Sequence, residues 1–191
     1  MLDREWIDRV VADVCAGNPG AIDSLVTWRA SDVTLGFNPD PEDLTVEPLR
    51  FLRRYWGGLP RGVLAPLSSA VDPVAMRPAL GYIVLIEIID DGWNGRYRVF
   101  GSELTGPYGS ELTGKTMVEG LPAQSLALHI AFLRILLRTA APLYTHHCSP
   151  PTITVLDWRR LMLPLEGPDG AISRVLVASL PGPWRPPAVE R

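Results

Sequence analysis

Lysine is almost missing from this 191-residue chain: Lys115 stands alone beside 17 arginines. The 18 basic residues fall short of the 21 aspartates and glutamates, and the net charge is −3. A protein whose main partner is nucleic acid needs a clustered basic excess to meet the phosphates, so this balance argues against DNA and RNA. Cysteine is scarce too. Cys15 and Cys148 are too few for a disulfide framework and fit a reducing compartment. No apolar run reaches the roughly 20 residues of a membrane helix. The strongest stretch, Leu80 to Ile89, is interrupted by Glu87 and closed by Asp90-Asp91. The opening Met1-Leu2-Asp3-Arg4-Glu5 lacks the basic lead of a secretion signal. The expected location is therefore the cytoplasm, with neither membrane nor nucleic acid as partner.

What is abundant points to a folded domain. Hydrophobic residues make up 47% and charged residues 20%, the balance of a chain that buries a core. A chain this long can bury about 70% of its unfolded surface without metal or disulfide. Nineteen prolines and 17 glycines predict many short, punctuated loops.

Leu2, Trp6, Val10 and Val14, with Ile7 and Val11 beside them, form one apolar face of a helix that ends near Gly17. A shorter helix is expected over 21–28, and 31–42 reads as a linker rich in Gly, Asn and Pro. Pro48 opens a helix through Leu49, Leu52, Tyr55 and Trp56 that Gly57-Gly58 stops. Asp72-Pro73 predicts a capped short helix up to Gly81. Tyr82 to Ile89 is the clearest strand, and Asp90 to Gly95 turns it into a second strand over 96–101. Short helical pieces, cut by Gly106-Pro107 and Gly114, fill 102–115. The longest helix runs from Pro122 to about Thr139, apolar around most of its girth and so expected to lie across a sheet. Strands over 143–148, 153–163 and 172–180 complete the chain, with a turn at 166–170 and a loose proline-rich tail. Consecutive strands joined by short turns imply an antiparallel sheet and an α+β fold.

Gly109 to Thr116 satisfies the phosphate-binding pattern G-x-x-x-x-G-K-[ST]. Its context is wrong, because the preceding strand ends eight residues earlier and Gly120 and Pro122 interrupt the helix that should follow. Lys115 is therefore expected to be structural or solvated. His146, His147 and Cys148 suggest a metal site, but a strand puts only His146 and Cys148 on one face, and zinc needs three or four ligands. The plainer reading is a polar edge-strand segment. His129, inside the long apolar helix, reads as a hydrogen-bonded boundary histidine. Glu87, Asp90 and Asp91 offer no evident general-acid/base pair.

The run Tyr97-Arg98-Val99-Phe100-Gly101-Ser102-Glu103-Leu104-Thr105, followed by Gly109 and by Ser110 to Lys115, resembles the core signature of PAS sensor domains. Arg54-Tyr55-Trp56, Pro66, Asp72-Pro73, Leu80, Leu163-Pro164-Leu165 and the strand 175–178 are similar to a bacterial subfamily of stand-alone PAS proteins of alphaproteobacterial type. The likeness spans about 46–182. It implies a five-stranded antiparallel sheet with the long helix packed across it. Residues 1–45, outside the likeness, read from their own pattern as a helical extension and linker, and the proline-rich 183–191 as a flexible tail.

The resemblance further implies a non-catalytic signal-sensing module. It would act through a small molecule held in a cavity, through protein interaction, or through both. Phe100, His129 and Phe132 are the expected cavity-lining residues. No cofactor is named: the cysteine motif of flavin photosensors is lacking, and His129 is the one histidine on the long helix that could ligate haem. The N-terminal helix is expected to pair two copies of the chain. The alternatives are a ketosteroid-isomerase-like α+β enzyme, whose long helices would precede most of the sheet, and a P-loop nucleotide-binding protein.

Overall fold

The last two strands read as nearly unbroken apolar runs because both faces of the sheet are covered. The computed structural model describes residues 2–28 and 33–186. Its strands are β1 (Thr34–Phe37), β2 (Ile83–Ile89), β3 (Asn94–Phe100), β4 (Leu143–Cys148), β5 (Asp157–Glu166) and β6 (Ile172–Pro181). They form a fully antiparallel sheet in the order β1-β4-β5-β6-β2-β3. The helices are α1 (Arg4–Cys15), α2 (Glu47–Gly57), α3 (Ser102–Tyr108), α4 (Met117–Gly120) and α5 (Ala123–Thr139), with short 3-10 turns between them.

Side chains alternate across the sheet with period two. On β5 and β6, Trp158, Met162, Val175 and Val177 join the core under α5, while Leu161, Leu163, Leu165, Leu176 and Ala178 join a second core with Leu49, Leu52 and Trp56 of α2. Two layers of helix therefore sandwich the central strands, which explains their continuous apolarity. The indole N–H of Trp56 donates to the Pro164 carbonyl at 2.7 Å, and the Tyr55 hydroxyl accepts from the Asp72 amide at 2.8 Å. Residues that carry the sequence resemblance thus meet in space.

Several expectations need correction. The sheet has six strands rather than five, because 34–37 of the supposed linker pairs with β4, Thr34 opposite His146. The α+β class stands. Asp72 makes only a local turn, its carboxylate accepting from the Val74 amide at 2.9 Å, and a 3-10 segment at Arg77–Tyr82 replaces the expected helix. Residues 19–25 are likewise 3-10. Gly106-Pro107 does not cut α3, which runs through it to Gly109. Of the tail called flexible, 183–186 is tied down: the Leu156 amide donates to the Pro183 carbonyl and the Arg185 side chain donates to the carbonyls of Ser149 and Ile153. Residues 187–191 lie outside the described residues.

The apolar face of α1 is covered within the same chain. Ile7, Val10, Val11 and Val14 are buried in the core that includes α5, and Asp8 pairs with Arg134 of α5 at 2.7 Å. The demand for cover that suggested pairing of two chains is therefore met in cis. No helix among the described residues is long and apolar enough to cross a membrane.

Candidate functional site

Between α5 and the sheet lies a cavity of about 50 Å³, lined from β2, β3, β5, β6, α3, α4 and α5. Phe100, His129 and Phe132, the three residues expected to line a cavity, all face it. Phe100 arrives at the end of β3. The next residue, Gly101, donates its amide to the Ile83 carbonyl at 2.8 Å and packs so closely on the Gly81 backbone that a Cβ would collide with it. That close approach turns the chain into α3, which contributes Leu104 and Tyr108 to the wall. Phe100 meets Tyr97 and Tyr108 edge-on, with ring centroids 6.0 and 5.8 Å away. The Tyr108 hydroxyl donates to the Gly120 carbonyl at 3.1 Å, and burial pushes its ionisation up to about 12.

The polar part of the wall is a chain of three groups. His129 donates its Nδ1–H to the Ser125 carbonyl one turn earlier on α5, at 2.8 Å. Its Nε2 accepts from Nη1 of Arg160, and Arg160 donates through Nε to the Ser179 hydroxyl at 3.1 Å. A guanidinium can only donate, so this arrangement fixes His129 as the neutral Nδ1–H tautomer. Burial, and then the adjacent Arg160 cation, pull its pKa down to about 3, against the opposing pull of the Ser125 carbonyl. His147 stacks edge-on to His129, with centroids 5.5 Å apart, and lies 5.3 Å from Phe132. It too is held well below its ordinary range, by burial first and then by Arg160, His129 and His146. Its Nδ1 is buried without a hydrogen-bond partner among the described residues.

His147 corrects one reading and Arg160 adds a residue. β1 pairs with β4 as far as His146, so of the segment 146–148 only His147 and Cys148 extend past that strand. Only His146 and Cys148 take the half-exposed side, where His146 pairs with Asp157 at 3.1 Å, while His147 points under α5. No metal-binding group of His, Cys, Asp or Glu occurs among the described residues. Arg160 was legible in principle. Period-two spacing sets it on the face of Trp158 and Met162, both buried, so an arginine there must face the core.

Haem does not fit this site. The cavity is far smaller than a porphyrin, and the His129 nitrogen that would ligate iron is engaged by Arg160.

The phosphate-loop pattern at 109–116 is used otherwise. The Gly114 amide donates to the Tyr97 carbonyl at 2.7 Å, and the Lys115 amide donates to the Leu112 carbonyl at 2.9 Å, so neither is free to cradle phosphate. A helical turn does follow Thr116, contrary to expectation, but it is the single turn of α4. Thr116 and Glu119 cap it reciprocally, and the Glu119 carboxylate takes both the amide and the hydroxyl of Thr116.

Comparison with known proteins gives three findings. A family model described as a PAS domain matches residues 44–179. No curated protein matches the chain. One solved structure, described as that of an RNA-binding light-oxygen-voltage receptor, is similar at 11% identity with a TM-score of 0.40, over 93% of this chain. The match spans 59% of that receptor's length.

Proposed function

Because this chain belongs to the PAS domain family, a family of sensory and regulatory modules, we propose that it senses a small molecule held in the cavity beneath α5. The observation that carries this reading is the cavity itself: an apolar chamber with one convergent polar patch, formed by Arg160, His129 and Ser179. Preformed apolar pockets with a few fixed polar groups are the usual form of small-molecule sites. The lining contains no aspartate or glutamate, the general base a ketosteroid-isomerase-like chemistry would require. Regulation rather than turnover is the role this wall supports.

Occupancy of the chamber would be felt by α5, which forms its roof and also supports α1. A ligand that favours one packing of this helix shifts the chain between two states by its differential affinity for them. The readout is a contact with a partner protein. The buried stripe of α1 is not the surface for it, being already covered.

The test is a fragment screen by two-dimensional NMR on the purified full chain. Binders should shift resonances of Tyr108, His129, Phe132 and Arg160 together. A screen in which no fragment perturbs these residues, or in which all shifts fall on the outer surface, would overturn the reading.

A further inference from the structure

Arg160 enters the cavity wall from the middle of β5 as the one charged side chain among the lining residues. A guanidinium carries five N–H donors and stays protonated at every physiological pH. Two of those donors have protein acceptors, Ser179 Oγ and His129 Nε2, and both acceptors are neutral. Among the described residues Arg160 forms no ion pair with an aspartate or glutamate. Trp158 supports it at 5.2 Å through its ring face, which adds attraction but no counter-charge.

Arg160 is half-buried, and drawing an ion even partly out of water is costly unless an opposite charge arrives with it. Among the described residues no carboxylate supplies that opposite charge, and the cavity lies beside the cation. We infer that the cavity takes a small carboxylate, its oxygens on the free N–H groups of Arg160 and its short apolar chain against Phe100, Leu104 and Phe132. The planar fork of arginine matches a carboxylate bidentately, which a single-point cation would not do. The inference rests on the reading of this cavity as the sensory site and names the ligand class.

Size and charge narrow the class. One water needs about 10–15 Å³ of such space, so a chamber of about 50 Å³ holds roughly three to five water-sized groups. That matches a three- or four-carbon acid and excludes long-chain fatty acids. A phosphate dianion suits the site poorly, since no second cation lines the wall and the rest of it is apolar.

The experiment is calorimetric titration of the full chain with propionate and butyrate, and in parallel with butyramide, octanoate and inorganic phosphate. Butyrate should bind one-to-one and at least tenfold more tightly than butyramide, its neutral counterpart of nearly equal shape. Octanoate and phosphate should give no saturable heat. Arg160→Met should erase the preference for butyrate over butyramide, and Arg160→Lys should keep only part of it. If the variants fail to fold, the wild-type ratio decides by itself. Equal binding of butyrate and butyramide would overturn the carboxylate assignment while leaving the cavity reading intact. Tighter binding of phosphate would also overturn it. If neither four-carbon compound binds and an NMR titration with xenon also leaves the lining residues unmoved, both readings fall.

Discussion

Arg160 and His129 hold one another in fixed protonation states: the guanidinium donates into the lone pair of His129 Nε2, and the proton of that imidazole stays on Nδ1, bonded to Ser125. A cation beside a half-buried imidazole resists a second positive charge there. The pair therefore shapes the electrostatics of the cavity and, together with the depressed His147, makes the fold sensitive to acid.

That sensitivity is measurable. His129 has a folded pKa near 3 against an ordinary value of 6.5, so between those values the unfolded chain binds a proton that the folded chain refuses. Its contribution to stability is complete above about pH 6.5 and is lost as pH falls toward 3. The slope approaches about 1.4 kcal/mol per pH unit. His129→Gln can still accept from Arg160 through its amide oxygen but cannot titrate. Denaturant melts at pH 7.5 and 4.5 should show the wild type losing more stability than the variant. Parallel losses would remove His129 from the acid response.

Arg160→Met tests whether the cation is truly unpaired. Breaking a buried ion pair by removing one partner costs about 3–5 kcal/mol, because the other charge is stranded. Here only the neutral Ser179 hydroxyl and His129 nitrogen lose a partner, and an apolar side chain replaces a half-buried charge. Stability of the unliganded chain should therefore stay within about 2 kcal/mol of wild type. A loss at the ion-pair level would mean that a carboxylate serves Arg160 after all.

The Gly109–Thr116 segment should not bind nucleotide. Calorimetry with Mg-ATP should give no saturable heat, and Lys115→Ala should melt like wild type. Thr116→Ala, in contrast, removes the cap of α4 and should cost about 0.5–2 kcal/mol. Micromolar ATP affinity that vanishes in Lys115→Ala would reverse this assignment.

The parts of the fold that announce themselves in the sequence are those set by local pattern. The girth of α5, the β2–β3 hairpin and the helix of α2 follow from periodicity and turn residues, and the first of these, joined to the PAS likeness, led to His129 and Phe132. β1 is illegible for a physical reason. Four residues, Gly36 among them and Asn38-Pro39 just after, become a strand only because β4, far along the chain, offers an unpaired edge. Arg160 was hidden by its neighbour: Arg159-Arg160 looks like a solvated pair, whereas the pleat sends the two to opposite faces. His147 was hidden in the same way beside His146. Sequence shows which residues alternate, but not that both faces of this sheet are covered.

The N-terminal helix is the part on which fold and function diverge most from a detachable extension. Ile7 is fully buried, and Val10, Val11 and Val14 are nearly so, against a core that includes Ile130, Leu133 and other residues of α5. Burial of each such side chain is worth about 1.5–3 kcal/mol, so together they rival the roughly 5–15 kcal/mol stability of a whole domain. Removing residues 1–28 would also bare the outer side of the helix that roofs the cavity. We expect the truncated chain to lose its cooperative melt and to aggregate, rather than to remain as a folded monomer. The point variant Ile7→Ala should cost about 2–5 kcal/mol by leaving a cavity under α1. Its subunit count by light scattering should equal that of wild type, because the stripe packs in cis. A truncated chain that keeps its circular dichroism and melts cooperatively within a few degrees of wild type would show that α1 is dispensable. An Ile7→Ala chain that stays stable but changes its subunit count would return the stripe to an interface between two chains.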